Sequence, residues 1–206
     1  MKDWKRLPFI CVGLAICNVI IYLCCLFGIG DFYIAGGLDA PAVIGEGEYY
    51  RIISSLFLHG NSTHLFNNMM ILLFLGAMLE KELGHVRFLV LYFLSGIGGN
   101  LLSLYVKVRE AEAAVSIGAS GAVFGLDGVL VAMVLFWGKK PNDMTPQRVI
   151  LVVLLSLYSG FTSTNVDNAA HIGGLITGFT AGCIVCAIRH VGKKNSHIGD
   201  ESAFGR

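Results

Sequence analysis

From Pro8 to Ile29 the chain carries no charged side chain. An α-helix needs about 20 apolar residues to cross the hydrocarbon core of a bilayer, so this run is long enough to span one. Backbone polar groups in lipid must be paired within the protein, which narrows the possible folds sharply. Five more apolar stretches follow, at about 64–79, 88–105, 120–137, 149–164 and 169–188. The chain reads as all-α, a polytopic membrane helix bundle with six transmembrane helices. Composition agrees: 55% of the 206 residues are hydrophobic and 14% are charged, against about 25% charged in soluble domains. Little length remains for a second unit. Residues 1–190 are expected to form one membrane domain, and the polar tail 191–206 to be disordered.

Lys2, Lys5 and Arg6 precede the first run, as in a secretory signal. The run exceeds the 7–15 apolar residues typical of a signal and is followed by no small-x-small cleavage site, so it reads as an uncleaved first span. Charge then sets the orientation. With both ends inside, the inner segments hold Lys2, Lys5, Arg6, Lys81, Arg87, Lys139, Lys140, Arg148, Arg189, Lys193, Lys194 and Arg206, leaving Arg51, Lys107 and Arg109 outside. That asymmetry is what the positive-inside rule expects, and an odd number of spans would reverse the basic tail. Both termini are therefore expected to be cytoplasmic. A bacterial plasma (inner) membrane is the expected location, because no transit peptide or extra soluble domain is visible.

A formal net charge of +1 gives no electrostatic case for nucleic acid. Cys11, Cys17, Cys24, Cys25, Cys183 and Cys186 all lie in apolar runs, where they read as small apolar side chains; the Cys183–Cys186 CxxC lacks the polar access that metal or redox use needs. The first outer connection, about Gly30 to Thr63, is the longest. Its apolar content, including Phe32, Ile34, Val43 and Leu56, suggests a segment folded against the membrane surface rather than a structureless loop.

Polar residues are costly in hydrocarbon, so clusters of them mark candidate sites. His64 and Asn68 open the second span one helical turn apart, and both offer side-chain N–H donors to a developing oxyanion. An amphipathic helix start meeting headgroup water is the plain alternative. Ser120 opens the fourth span between Gly118 and Gly121, with small neighbours and the free N–H groups of a helix N-terminus around it. A small-residue packing surface or a helix cap would look alike. His171 opens the sixth span three residues before Gly174, which with Gly178 forms a GxxxG face for close helix approach. That places a candidate base beside a candidate nucleophile, though a structural histidine bonded to a loop carbonyl fits too. All three clusters fall at the same end of their spans, and the odd-numbered spans offer nothing comparable.

With these motifs the sequence resembles the rhomboid intramembrane protease family: His64-x-x-x-Asn68, Gly118-Ala-Ser120-Gly121, and Ala170-His171 followed by Gly174-x-x-x-Gly178. Tyr50-Arg51 and His59 are similar to further family features, and the resemblance covers about residues 8–190. It implies an intramembrane serine endopeptidase. Ser120 would be the nucleophile and His171 the general base, with an oxyanion hole made by the Ser120 backbone N–H and the side chains of His64 and Asn68. Phe124 would pack on the His171 imidazole and orient it. The implied partners are transmembrane protein substrates in the bilayer, and the chemistry calls for no metal, nucleotide or organic cofactor. Substrates that unwind locally would be favoured, since a helix shields its own peptide bonds.

Asp127, two turns beyond Ser120, is no hallmark of the family; a packing or tuning role is expected, with the carboxyl neutral or hydrogen-bonded. The alternatives are a catalytically inactive rhomboid-like protein that binds membrane clients, and a small transporter. The second would leave the Gly-Ala-Ser-Gly sequence unexplained and shows no inverted repeat.

Overall fold

The computed structural model describes residues 7–137, 147, 149, 151, 154–156, 158, 160 and 166–203, with side chains through His190. The chain is a helical membrane bundle. Its first helix, α1 (Phe9–Leu26), turns Val12, Ile16, Val19, Ile20 and Leu23 outward, as a lipid-facing surface requires. The first N–H groups of a helix lack intrahelical acceptors, and Pro8 at the N-cap supplies none. Glu80 does so from another helix, accepting from the backbone N–H of Ile10 (3.0 Å) and of Cys11 (2.7 Å) while His85 Nδ1 meets its Oε1. The sequence reading ended the second span before Glu80. Instead Glu80 is 1% exposed, inside a helix that runs on to Leu83.

The long first connection is folded. It contains α2 (Phe32–Gly36), α3 (Ala40–Gly45), α4 (Arg51–Ser54) and a 3-10 turn at Ser55–Phe57. Arg51 is its hub: the guanidinium donates to the carbonyls of Ile34 (2.7 Å) and Gly37 (2.9 Å) and to the Glu48 carboxylate. Ser54 Oγ donates to Gly36 O, and Tyr50 Oη to Ala35 O. Phe32, Ile34, Ile44, Tyr49 and Ile53 remain exposed on it.

The second span, α5 (Ser62–Leu83), begins where the Asn61 side chain accepts from the His64 N–H at 2.8 Å. It widens into a π-helical turn at Leu72–Gly76, against which Cys11 Sγ donates to Leu72 O. Gly84, at φ 83°, reverses the chain into α6 (His85–Glu110). Here the structure corrects the sequence reading of the odd-numbered spans. α6 buries a stripe of small and polar residues, namely Ser95, Gly96, Gly99, Asn100, Ser103 and Lys107. Their spacing of one, three and four keeps them on one helical face.

The fourth span is α7 (Ser120–Phe136), and the last helix is α8 (Asn168–Ala203), packed mainly on α7 and α6. Among the described residues four helices are long and apolar enough to cross a membrane, and α7 is a shorter apolar one. The expected fifth span, 149–164, falls largely outside the described residues, although Val149, Leu151, Leu154, Leu155, Ser156, Tyr158 and Gly160 are helical. The backbone of α8 continues as helix to Ala203, through most of the tail expected to be disordered. Among the described residues no strand forms beyond an isolated antiparallel bridge between Leu38 and Ser116.

Candidate active site

α7 and α8 meet with their backbones in contact. A Cβ added to Gly174 would collide with Gly121 O, and one added to Gly178 would collide with Gly125 O. This is the close approach that a GxxxG face permits. It sets the first turn of α8 against the first turn of α7. Ala170 O lies 3.3 Å from where a Gly121 Cβ would stand, so Ser120 and His171, the neighbours of these two residues, open facing helices. Phe124, one turn beyond Ser120, stacks on the His171 imidazole with ring centroids 4.1 Å apart and planes 13° apart. Both Ser120 and His171 are half-buried. No hydrogen bond joins them directly.

The loop before Ser120 is pinned on both sides. Ser116 pairs with Leu38 in the isolated bridge, and the Gly118 N–H donates to Ser55 O at 2.9 Å. Gly118 adopts φ 132°, and a Cβ there would lie 2.9 Å from His64 Nε2 and 3.7 Å from Ser120 Oγ. Only glycine meets both demands. The serine hydroxyl and the His64 imidazole thus converge on one point. Asn68 follows one turn below His64, 2% exposed, and its Nδ2 has no hydrogen-bond partner among the described residues. An unpaired buried donor is costly unless something arrives to accept from it. The described residues therefore bring together Ser120, His64, Gly118 and, one turn below His64, Asn68 as one group, and Phe124, His171, Gly121 and Gly174 as the adjoining one.

Residues 46–188 match the Rhomboid domain. The chain belongs to the rhomboid family. It is 40% identical over 80% of its length to RHOMBOID-like protein 4 of Arabidopsis thaliana, covering 41% of that protein. It is 34% identical over 72% of its length to the rhomboid protease GluP of Bacillus subtilis, covering 28% of it. It is also 40% identical to the Bacillus subtilis protein YdcA, with 66% of this chain aligned to 67% of that one. The chain thus spans less than half the length of the plant relative and of GluP. It is an integral membrane protein of the rhomboid type.

Other sequence-identified residues support this rhomboid site from a distance. His59 is fully buried beside His64, their ring centroids 5.0 Å apart. Burial pushes its imidazole down to about 3, with His64 adding to the effect and the Phe57 backbone opposing it. The Tyr33 hydroxyl holds its carbonyl. Arg51 orders the first connection and is not part of the Ser120 cluster. Asp127 is 6% exposed, and its carboxyl lies beside the Ser156 hydroxyl.

Sequence reasoning missed a second tier. Asn100 Nδ2 donates to Ile52 O (2.8 Å) and Ser55 Oγ (2.9 Å), fastening α6 to the turn that receives Gly118. Asp167, just before α8, accepts from the hydroxyls of Ser103 and Ser116 and from the Ala170 N–H at 2.9 Å. Burial pushes its carboxyl up, but these three hydrogen bonds and the nearby Lys107 ammonium outweigh that and hold it below the ordinary value. An acidic residue four positions before His171 is a helix-cap signal readable in the sequence. The polar stripe of α6 was legible by its spacing.

Proposed function

We propose that this chain is an intramembrane serine endopeptidase that hydrolyses peptide bonds in or near the transmembrane segments of other membrane proteins. The observation that carries the reading is the clamped pair of helix starts: His171 stacked on Phe124, one turn from Ser120, across an interface with no room for a side chain at Gly174. Ser120 Oγ attacks the scissile carbonyl, and His171 takes its proton and returns it to the leaving amine. The oxygen that becomes negative is received by the Ser120 N–H at the start of α7, by His64 and by the unpartnered Asn68 Nδ2. Stacking on Phe124 orients the imidazole where other serine proteases use a carboxylate. Residues 1–190 act as one domain, and both termini lie on the cytoplasmic side.

The test is cleavage of a single-span substrate with a helix-destabilising outer segment by purified protein in detergent. Wild type cuts and Ser120→Ala does not. Asn68→Ala, with an oxyanion donor gone, cuts about 10²-fold more slowly. Folded wild type that cuts no member of a broad substrate panel would instead indicate a rhomboid-like protein that binds membrane clients without cleaving them.

A further inference from the structure

Asp167 lies at the junction of three elements. Its Oδ2 accepts from Ser103 on α6 and from Ser116 on the loop that delivers Ser120. Its Oδ1 accepts from the Ala170 N–H, and its own carbonyl accepts from the His171 N–H at 3.2 Å. Ser116 lies four positions before Ser120, and Asp167 four positions before His171. The carboxylate is half-buried, and the Lys107 ammonium, itself 5% exposed, adds an attractive charge while donating to Ala114 O on the same loop. Both oxygens are occupied by these donors, and no hydrogen bond runs from either to the imidazole. The group is therefore placed to hold the two reacting helix starts in register, not to act as the third member of a triad.

We propose that Asp167 is a positioning residue whose carboxylate ties the Ser116 loop to the first turn of α8 and so sets the distance between Ser120 and His171. The proposal rests on the reading of Ser120 and His171 as nucleophile and base. The glycine interface sets how closely α7 and α8 approach, and the Asp167 hydrogen bonds fix the Ser116 loop against the first turn of α8. A small displacement of either helix start costs rate without weakening substrate binding, because alignment of reacting atoms is felt mainly in the chemical step. The charge matters as well as the shape. One carboxylate oxygen accepts two hydroxyl protons here, and a neutral amide is a weaker acceptor for both.

The experiment uses the full chain in detergent, comparing wild type, Ser120→Ala, Asp167→Asn, Asp167→Ala and the double variant Ser103→Ala/Ser116→Ala. Two quantities are followed: kcat and KM on a single-span substrate, and labelling of the serine by a fluorophosphonate, read as rate and as end-point separately. The expected result is a fall in kcat of about 10- to 100-fold in Asp167→Ala and less in Asp167→Asn. KM stays within about twofold, and the labelling rate falls in step with kcat while the labelled end-point stays near that of wild type. The double serine variant reproduces the same pattern with the carboxylate still present. Wild-type kcat and labelling rate in the Asp167 variants overturn the clamp. So does a loss confined to the end-point, which would mean only that fewer molecules fold. Full cleavage by Ser120→Ala overturns the nucleophile reading and the clamp with it, whereas an inactive Ser120→Ala beside unaffected Asp167 variants overturns the clamp alone.

Discussion

At the residue scale, the site is assembled from groups that are individually unfavourable where they stand. Asn68 has a buried, unpaired donor and Gly118 an uncommon backbone angle. His59 is a third case, and its burial yields a pH prediction. Its imidazole is held down at about 3 from an ordinary 6.5, mainly by burial, so the unfolded chain takes up a proton that the folded one refuses. The stability His59 permits is full above pH 6.5 and declines as pH falls toward 3. By pH 5 the loss is about 2 kcal/mol. The thermal midpoint in detergent should drop between pH 7 and pH 5 in wild type and drop less in His59→Gln, whose side chain does not titrate. Equal drops would mean that His59 is not the group responsible. Ser120, His171, His64 and Asn68 stand out in the sequence as candidates, because polar residues are conspicuous in apolar runs. Asp167 is legible only as a helix cap, because an acidic residue at a span boundary gives no sign of the partners it holds.

At the element scale, two devices hold the helices. One is the glycine interface of α7 and α8; the other is Glu80, which closes the N-terminus of α1 from α5. The first makes a sharp prediction. Gly178→Ala forces a methyl group onto Gly125 O, while a Cβ at Gly13 in α1 meets nothing within 4 Å. Overpacking at such a contact costs about 1–3 kcal/mol. Gly178→Ala should therefore lower the thermal midpoint and the cleavage rate together, and Gly13→Ala should lower neither. A Gly178→Ala protein as stable as wild type would show that the two helices can separate freely. The GxxxG spacing announced this contact in the sequence. Glu80 misled because a charged residue after an apolar run usually marks the water boundary, and only the arrival of α1 shows what its carboxylate serves.

At the scale of the whole molecule, the arrangement of basic residues predicts that both ends face the cytoplasm. Reporter domains fused after Arg206 and before Met1 should both report the cytoplasmic side, and opposite sides for the two would require an odd number of crossings. By itself the sequence determined that this chain is a helical membrane protein, and it marked where apolar helices lie and which polar residues are candidates for the chemistry. Those properties depend on local composition and short-range spacing, which hydrophobicity and helical period translate directly into position. Only the tertiary structure decided how the helix starts are held in register. The Ser103–Asp167–Ser116 junction, the Asn100 link to the Ser55 turn and the Glu80 cap on α1 join residues 13 to 70 positions apart. Hydrogen-bond partners at such separations are selected by packing, and no local pattern encodes them.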